Sequence, residues 1–146
     1  MKLIYHGAGM MLYHTDTKTR VTSVLLGKRL FNPDKGCWSI PGGGWEQKKD
    51  GYYNGHPNYW ATAQREMGEE LRLRIKKNSQ GKIFRIWKLH SIVFSFEVFA
   101  FKCKNRIIPP EGTEFSEMRW FNIDHLPKNY LEKFVPQQIE ELRKYL

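Results

Sequence analysis

The chain has 146 residues, 40% of them hydrophobic and 14% aromatic, with a formal net charge of +9 and a pI near 9.6. That length suffices for one compact domain with a real core, and the basic excess raises the local concentration of anionic partners, although a solvated basic face would carry the same charge. No apolar run approaches a membrane span, and His6, Gly7 and Gly9 interrupt the amino terminus before a signal-peptide core forms, so a soluble, cytoplasmic protein is expected.

Residues 8–13 and 21–26 are apolar and partly β-branched, with the polar stretch HTDTKTR between them, which predicts two strands joined by a hairpin turn. Residues 32–58 are dense in Gly, Pro, Asn and Asp and read as a long loop with a short strand at 37–40. Loops of that length in compact domains are often functional. The pattern then turns helical: Trp60, Ala63, Met67 and Leu71 recur at three- and four-residue steps, predicting a helix over 57–71 with Pro57 as its first residue. Residues 83–101, rich in Ile, Val and Phe, read as two strands or one strand with a bend near 88–91. A short strand follows at 116–121, and Ile139, Leu142 and Tyr145 predict a carboxy-terminal helix over 136–146. No repeat or linker divides the chain, so a single domain over 1–146 is expected. Cys37 and Cys103 sit in unrelated contexts and read as reduced thiols, and the five histidines lack the paired spacing of a zinc site.

One stretch stands out chemically. REMGEEL, residues 65–71, crowds Glu66, Glu69 and Glu70 into a basic chain. On a helix these stand at i, i+3 and i+4, so all three carboxylates share a face, read here as opposite the Trp60, Met67, Leu71 stripe. Like charges at that spacing cost about 0.2–0.5 kcal/mol per pair in an isolated helix. A solvated acidic face partly paired with Arg65, Arg72 and Arg74 is one explanation. A divalent cation site is the other, because magnesium and manganese prefer carboxylate oxygens.

WSIPGGGWE, residues 38–46, followed by REMGEEL resembles the signature of the Nudix hydrolase family, G-x5-E-x7-R-E-U-x-E-E-x-G-U with U apolar. Gly43 supplies the first glycine, and Arg65, Glu66, Met67, Glu69 and Glu70 match the R-E-U-x-E-E core residue for residue. RWFNIDHLP, residues 119–127, is similar to the family's late strand and following turn. Two departures stand out. The spacing from Gly43 to Arg65 exceeds the pattern by eight residues, leaving Asp50 as the candidate for its first glutamate, and Arg72 stands where the pattern has glycine.

The resemblance implies an α/β fold, the Nudix-type α/β/α sandwich with a mixed central sheet. It implies hydrolysis of a nucleoside diphosphate linked to a moiety X by attack of water on phosphorus, with Mg2+ or Mn2+ as cofactor. Glu66, Glu69 and Glu70 and the main-chain carbonyl of Gly42 would hold the metal, and Arg65 would orient the glutamates. Glu114 is the first choice for a general base, with Glu97, Glu111 and Glu117 as alternatives. Trp45, Tyr52 and Tyr53 are candidates to stack on a base, whereas Trp60 fits the core stripe; Arg29 and Lys28 are candidates to face phosphates. Implied partners are nucleotides or nucleoside diphosphate derivatives, capped RNA among them, and no membrane; many members of the family dimerise, so a homodimer is one open assembly. The rival reading is a Nudix-like module that binds nucleotide or RNA without turnover.

Overall fold

The computed structural model describes residues 5–71, 83–107, 109 and 114–146, with Glu70 and Leu71 by backbone alone. Strand β1, Tyr5–Thr15, and strand β2, Thr22–Arg29, form the expected hairpin, in register from Tyr13↔Val24 to Thr15↔Thr22. Its turn is set by Asp16, whose Oδ1 accepts the main-chain N–H groups of Lys18 and Thr19 at 2.8 Å each.

β1 is the seam of the sheet. Strand β8, Phe94–Lys102, runs parallel along it from Tyr5↔Phe94 to Tyr13↔Lys102. On its other edge, strand β4, Gly42–Gly44, pairs antiparallel with its first half. Strand β7, Ile83–His90, flanks β8, while β3, Trp38–Ser39, and β9, Phe115–Asn122, pair with β2. One parallel pair among antiparallel ones makes a mixed, seven-stranded sheet. Because β1 is central, alternate side chains enter opposite cores, and neighbouring Met10 and Met11 are both fully buried.

Each face is covered by a helix. Helix α3, Val135–Arg143, lays Val135, Ile139 and Leu142 on Met11, Tyr13, Val24, Leu26, Val98 and Ala100. Helix α2, Tyr59–Leu71, lays Tyr59, Ala63 and Met67 on Ala8, Met10, Leu12 and Leu25. The Val, Leu, Ile and Met side chains among these contribute about 1.5–3 kcal/mol each when fully buried. The molecule is therefore an α/β/α sandwich, as the resemblance implied.

The differences from expectation are local. α2 begins at Tyr59 rather than at Pro57, because Asn58 caps it: its Oδ1 accepts the Ala61 N–H at 3.1 Å. Pro57 instead ends a two-stranded ribbon, β5, Tyr52–Tyr53, paired with β6, His56–Pro57. Asn54 (φ 52°) and Gly55 (φ 80°) between them both adopt the left-handed region, as a two-residue I′ hairpin turn requires. The long loop thus contains β3, β4, this ribbon and a short helix α1, Gln47–Asp50. The β7–β8 turn falls at residues 91–93, just past the expected bend, and α3 stops at Arg143, short of residue 146. The expectations resting on Arg72, Arg74 and Glu111 lie outside the described residues. No helix among the described residues is long and apolar enough to cross a membrane.

Candidate functional site

The glycine run of β4 is explained by what presses on it. A Cβ at Gly42 would stand 2.6 Å from the Ala8 carbonyl oxygen of β1, and one at Gly43 would overlap the Glu66 carboxyl. Glycine at both positions lets strand, sheet and helix approach closely enough for Glu66 to rest on the β4 backbone. This corrects one expectation. At about 100° per residue, Glu66 lies beside the apolar stripe of α2 rather than opposite it, and its side chain is only 15% exposed.

Arg65 is the hub. Its Nε and Nη2 donate to Asp50 Oδ1 and Oδ2 at 2.8 and 2.9 Å, and Nη2 also donates to the Gly44 carbonyl at 2.7 Å. Nη1 reaches Glu66 Oε1 at 3.0 Å, Glu46 Oε2 at 3.1 Å and Glu69 Oε2 at 3.3 Å. The planar fork of arginine suits such a bidentate grip. Asp50 is buried and takes two further hydrogen bonds, from the Thr62 hydroxyl and the Glu46 N–H, at 2.9 Å each. Burial alone would raise its pKa; Arg65, the Glu46 N–H and Thr62 together hold it below the usual carboxylate value. Asp50, the candidate for the pattern's first glutamate, is thus fixed on Arg65. One of the eight extra residues falls before it and seven fall between it and Arg65.

Four carboxylates, those of Asp50, Glu46, Glu66 and Glu69, meet this one guanidinium. Burial raises the pKa of Glu66, and the charges of Glu69 and Glu114 push it further against the opposing pull of Arg65. Glu114, exposed, is held by its carbonyl accepting the Leu30 N–H at 3.0 Å, and its carboxylate is close enough to be felt at Glu66. Glu66 and Glu69 supply hard oxygen donors of the kind a divalent cation prefers, although among the described residues no three His, Cys, Asp or Glu side chains are grouped to hold one.

The other sequence candidates lie in different settings. Glu97 is buried on β8, 3.3 Å from Arg85 and 3.0 Å from His90, and Glu117 pairs with Arg119. Arg29 donates from Nε to the Pro33 carbonyl at 2.7 Å, and Lys28 is exposed beside it. Trp45 is built into the frame: its Nε1 donates to the Gly51 carbonyl at 2.8 Å, and its ring meets His6 and Tyr52 edge-on. The Gly51 carbonyl also accepts the Asn58 N–H at 3.0 Å, closing the base of the β5–β6 ribbon. Neighbouring Tyr52 and Tyr53 are both exposed. Trp60 packs on Phe99, as its place in the stripe predicted. Glu46, whose only signal is its place in WSIPGGGWE, and Thr62, which has none, enter the Arg65 network because the fold brings them there.

A family model described as "NUDIX domain" matches residues 5–144. No curated protein matches the chain. Among solved structures, the NUDIX domain of NrtR from Shewanella oneidensis, complexed with ADP ribose, superposes with a TM-score of 0.74 at 16% identity, over 99% of this chain and 90% of that one. A MutT/nudix family protein from Enterococcus faecalis gives 0.67 at 18% identity over 84% of this chain. A bifunctional NMN adenylyltransferase/ADP ribose pyrophosphatase from Francisella tularensis, complexed with AMP and a Mn ion, gives 0.66 at 17% identity over 99% of this chain. The chain spans 45% and 42% of the length of those last two. At these identities the likeness is one of fold.

Proposed function

The chain belongs to the Nudix family of pyrophosphohydrolases, and we propose that it cleaves the diphosphate bridge of a nucleoside diphosphate linked to a moiety X, releasing a nucleoside monophosphate. The observation that carries this reading is the cluster of carboxylates gathered on Arg65 against the glycines of β4. In this reading Glu66, Glu69 and Glu70, with the main-chain carbonyl of Gly42, hold Mg2+ or Mn2+. When bound, the cation neutralises the anionic bridge, polarises its phosphoryl oxygens and lowers the pKa of the attacking water.

The chain's own residues do the rest. Arg65, fixed by Asp50 and the Gly44 carbonyl, holds Glu66 and Glu69 in place through Nη1. It is a positioning residue, its guanidinium already committed to protein groups. Glu114 is the proposed general base, receiving the proton of the attacking water at its carboxylate, whereas Glu97 and Glu117 are paired elsewhere. Nucleoside triphosphates, oxidised ones included, nucleotide sugars, ADP-ribose, dinucleoside polyphosphates and capped RNA form the substrate panel, and a cytoplasmic location belongs to the same reading.

The test is Glu69→Gln and Glu70→Gln assayed over that panel with magnesium or manganese. Both variants are expected to lose metal-dependent release of nucleoside monophosphate while keeping their circular dichroism spectra. Variants as active as the parent would overturn the metal assignment. A parent that binds nucleotides and turns over none of the panel would favour the binding-module reading.

A further inference from the structure

A cleft of about 620 Å3 opens between the β5–β6 ribbon, the first turn of α2 and strands β7 and β8. That size lies within the range of small-molecule sites. It is separated from the carboxylate cluster by α2 itself, which turns Glu66 toward β4 and Trp60 toward Phe99 of β8.

The lining is chemically mixed in a particular way. Tyr53 brings a ring that is 68% exposed, on a ribbon whose base is fixed. Arg85 and Lys88 bring two cations from β7. The single acid, Glu97, is already engaged by Arg85 and His90, and His90 is itself hydrogen-bonded to Ser95 at 3.1 Å. Lys88 stands opposite Glu97 in the strand register, yet among the described residues no carboxylate pairs with its ammonium. Deeper in, the Tyr59 hydroxyl and His6 Nδ1 form a hydrogen bond of 3.0 Å, polar groups within reach of a ligand. The amino-terminal end of α2 adds partial positive charge to the same wall.

We propose that this cleft is a second nucleotide site, taking a nucleoside phosphate with its base stacked on Tyr53 and its phosphate at Lys88. An ammonium with no carboxylate partner among the described residues and an exposed aromatic ring lining one cleft suit a ligand that is both planar and anionic. The assignment uses none of the residues gathered on Arg65, and it gives Tyr53, one of the rings first offered for the substrate's base, to this cleft instead.

Calorimetric titration of AMP into the intact chain in excess EDTA tests it. AMP binds the parent and Glu69→Gln alike, while Tyr53→Ala and Lys88→Ala, both at exposed positions, each weaken binding about tenfold or more. Absence of AMP binding without metal overturns the proposal. So does binding that Glu69→Gln abolishes and that Tyr53→Ala and Lys88→Ala leave unchanged.

Discussion

Replacing Asp50 with asparagine keeps the shape of the side chain and removes its charge at the root of the Arg65 network. Asp50 accepts two charge-assisted bonds from Arg65, at 2.8 and 2.9 Å, and its side chain is only 1% exposed. Such bonds contribute about 1.5–3 kcal/mol each, and removing one member of a buried pair costs about 3–5 kcal/mol. Arg65 retains Glu46, Glu66 and Glu69 as neighbours, which offsets part of the loss, so about 2–4 kcal/mol is expected for Asp50→Asn. At about 3 °C per kcal/mol for a chain of this size, the melting temperature falls by about 6–12 °C. Urea unfolding monitored by circular dichroism measures the same difference as free energy. The pH dependence has a definite sign. The pKa of Asp50 is lowered in the folded chain, so its contribution is complete above the ordinary value of 3.8 and is lost as pH falls through the lowered value. The gap between parent and variant is therefore flat from about pH 5 to 8 and closes below about pH 4. Glu46→Gln is the control, because Glu46 is half exposed and its contact with Arg65 is worth under about 1 kcal/mol. An Asp50→Asn variant no less stable than Glu46→Gln would refute the reasoning.

Two further perturbations separate structure from chemistry. Gly42→Ala drives a Cβ into the β1 backbone and costs about 1–3 kcal/mol in unfolding experiments, whereas Gly43→Ala meets only the movable end of Glu66. Gly43→Ala therefore keeps most of its stability and loses about 10- to 100-fold in metal-dependent turnover; equal stability losses in the two variants would contradict this. Millimolar Mg2+ raises the melting temperature of the parent by mass action and leaves that of Glu66→Gln unmoved in a thermal-shift assay, and an identical rise in both would remove Glu66 from the metal set.

Long periodic segments were legible in the sequence, and short or side-chain-poor ones were not. The continuous apolar run of β1, bounded by turn residues, and the three- and four-residue steps of Trp60, Ala63 and Met67 announced strand and helix. β4 is three glycines, which carry no pattern to read and have low strand propensity; only the neighbouring Ala8 carbonyl and Glu66 carboxyl explain it. The ribbon at Tyr52–Tyr53 and His56–Pro57 is too short for periodicity, yet Asn54-Gly55 was a usable hairpin signal. In the candidate site, Arg65, Glu66 and Glu69 were suggested by their match to the R-E-U-x-E-E core. The grip of Asp50 on Arg65 had only a misplaced pattern position to suggest it, Glu46 only its place in WSIPGGGWE, and Thr62 nothing, because those contacts depend on how α1 docks on α2.

The double use of the Gly51 carbonyl, by the Trp45 indole and the Asn58 N–H, makes residues 51–58 a graft point. Gly51 sits at φ 65° and ψ −159°, a conformation essentially reserved for glycine, so this clasp is written into the chain at a single residue. Beyond it the ribbon can be lengthened, shortened or exchanged at small entropic cost, about 0.6 kcal/mol for each doubling of loop length. The separation frees the outer segment to diversify in recognition while the spacing between Asp50 and Arg65 stays constant in space, and it marks where a designer could transplant a foreign loop.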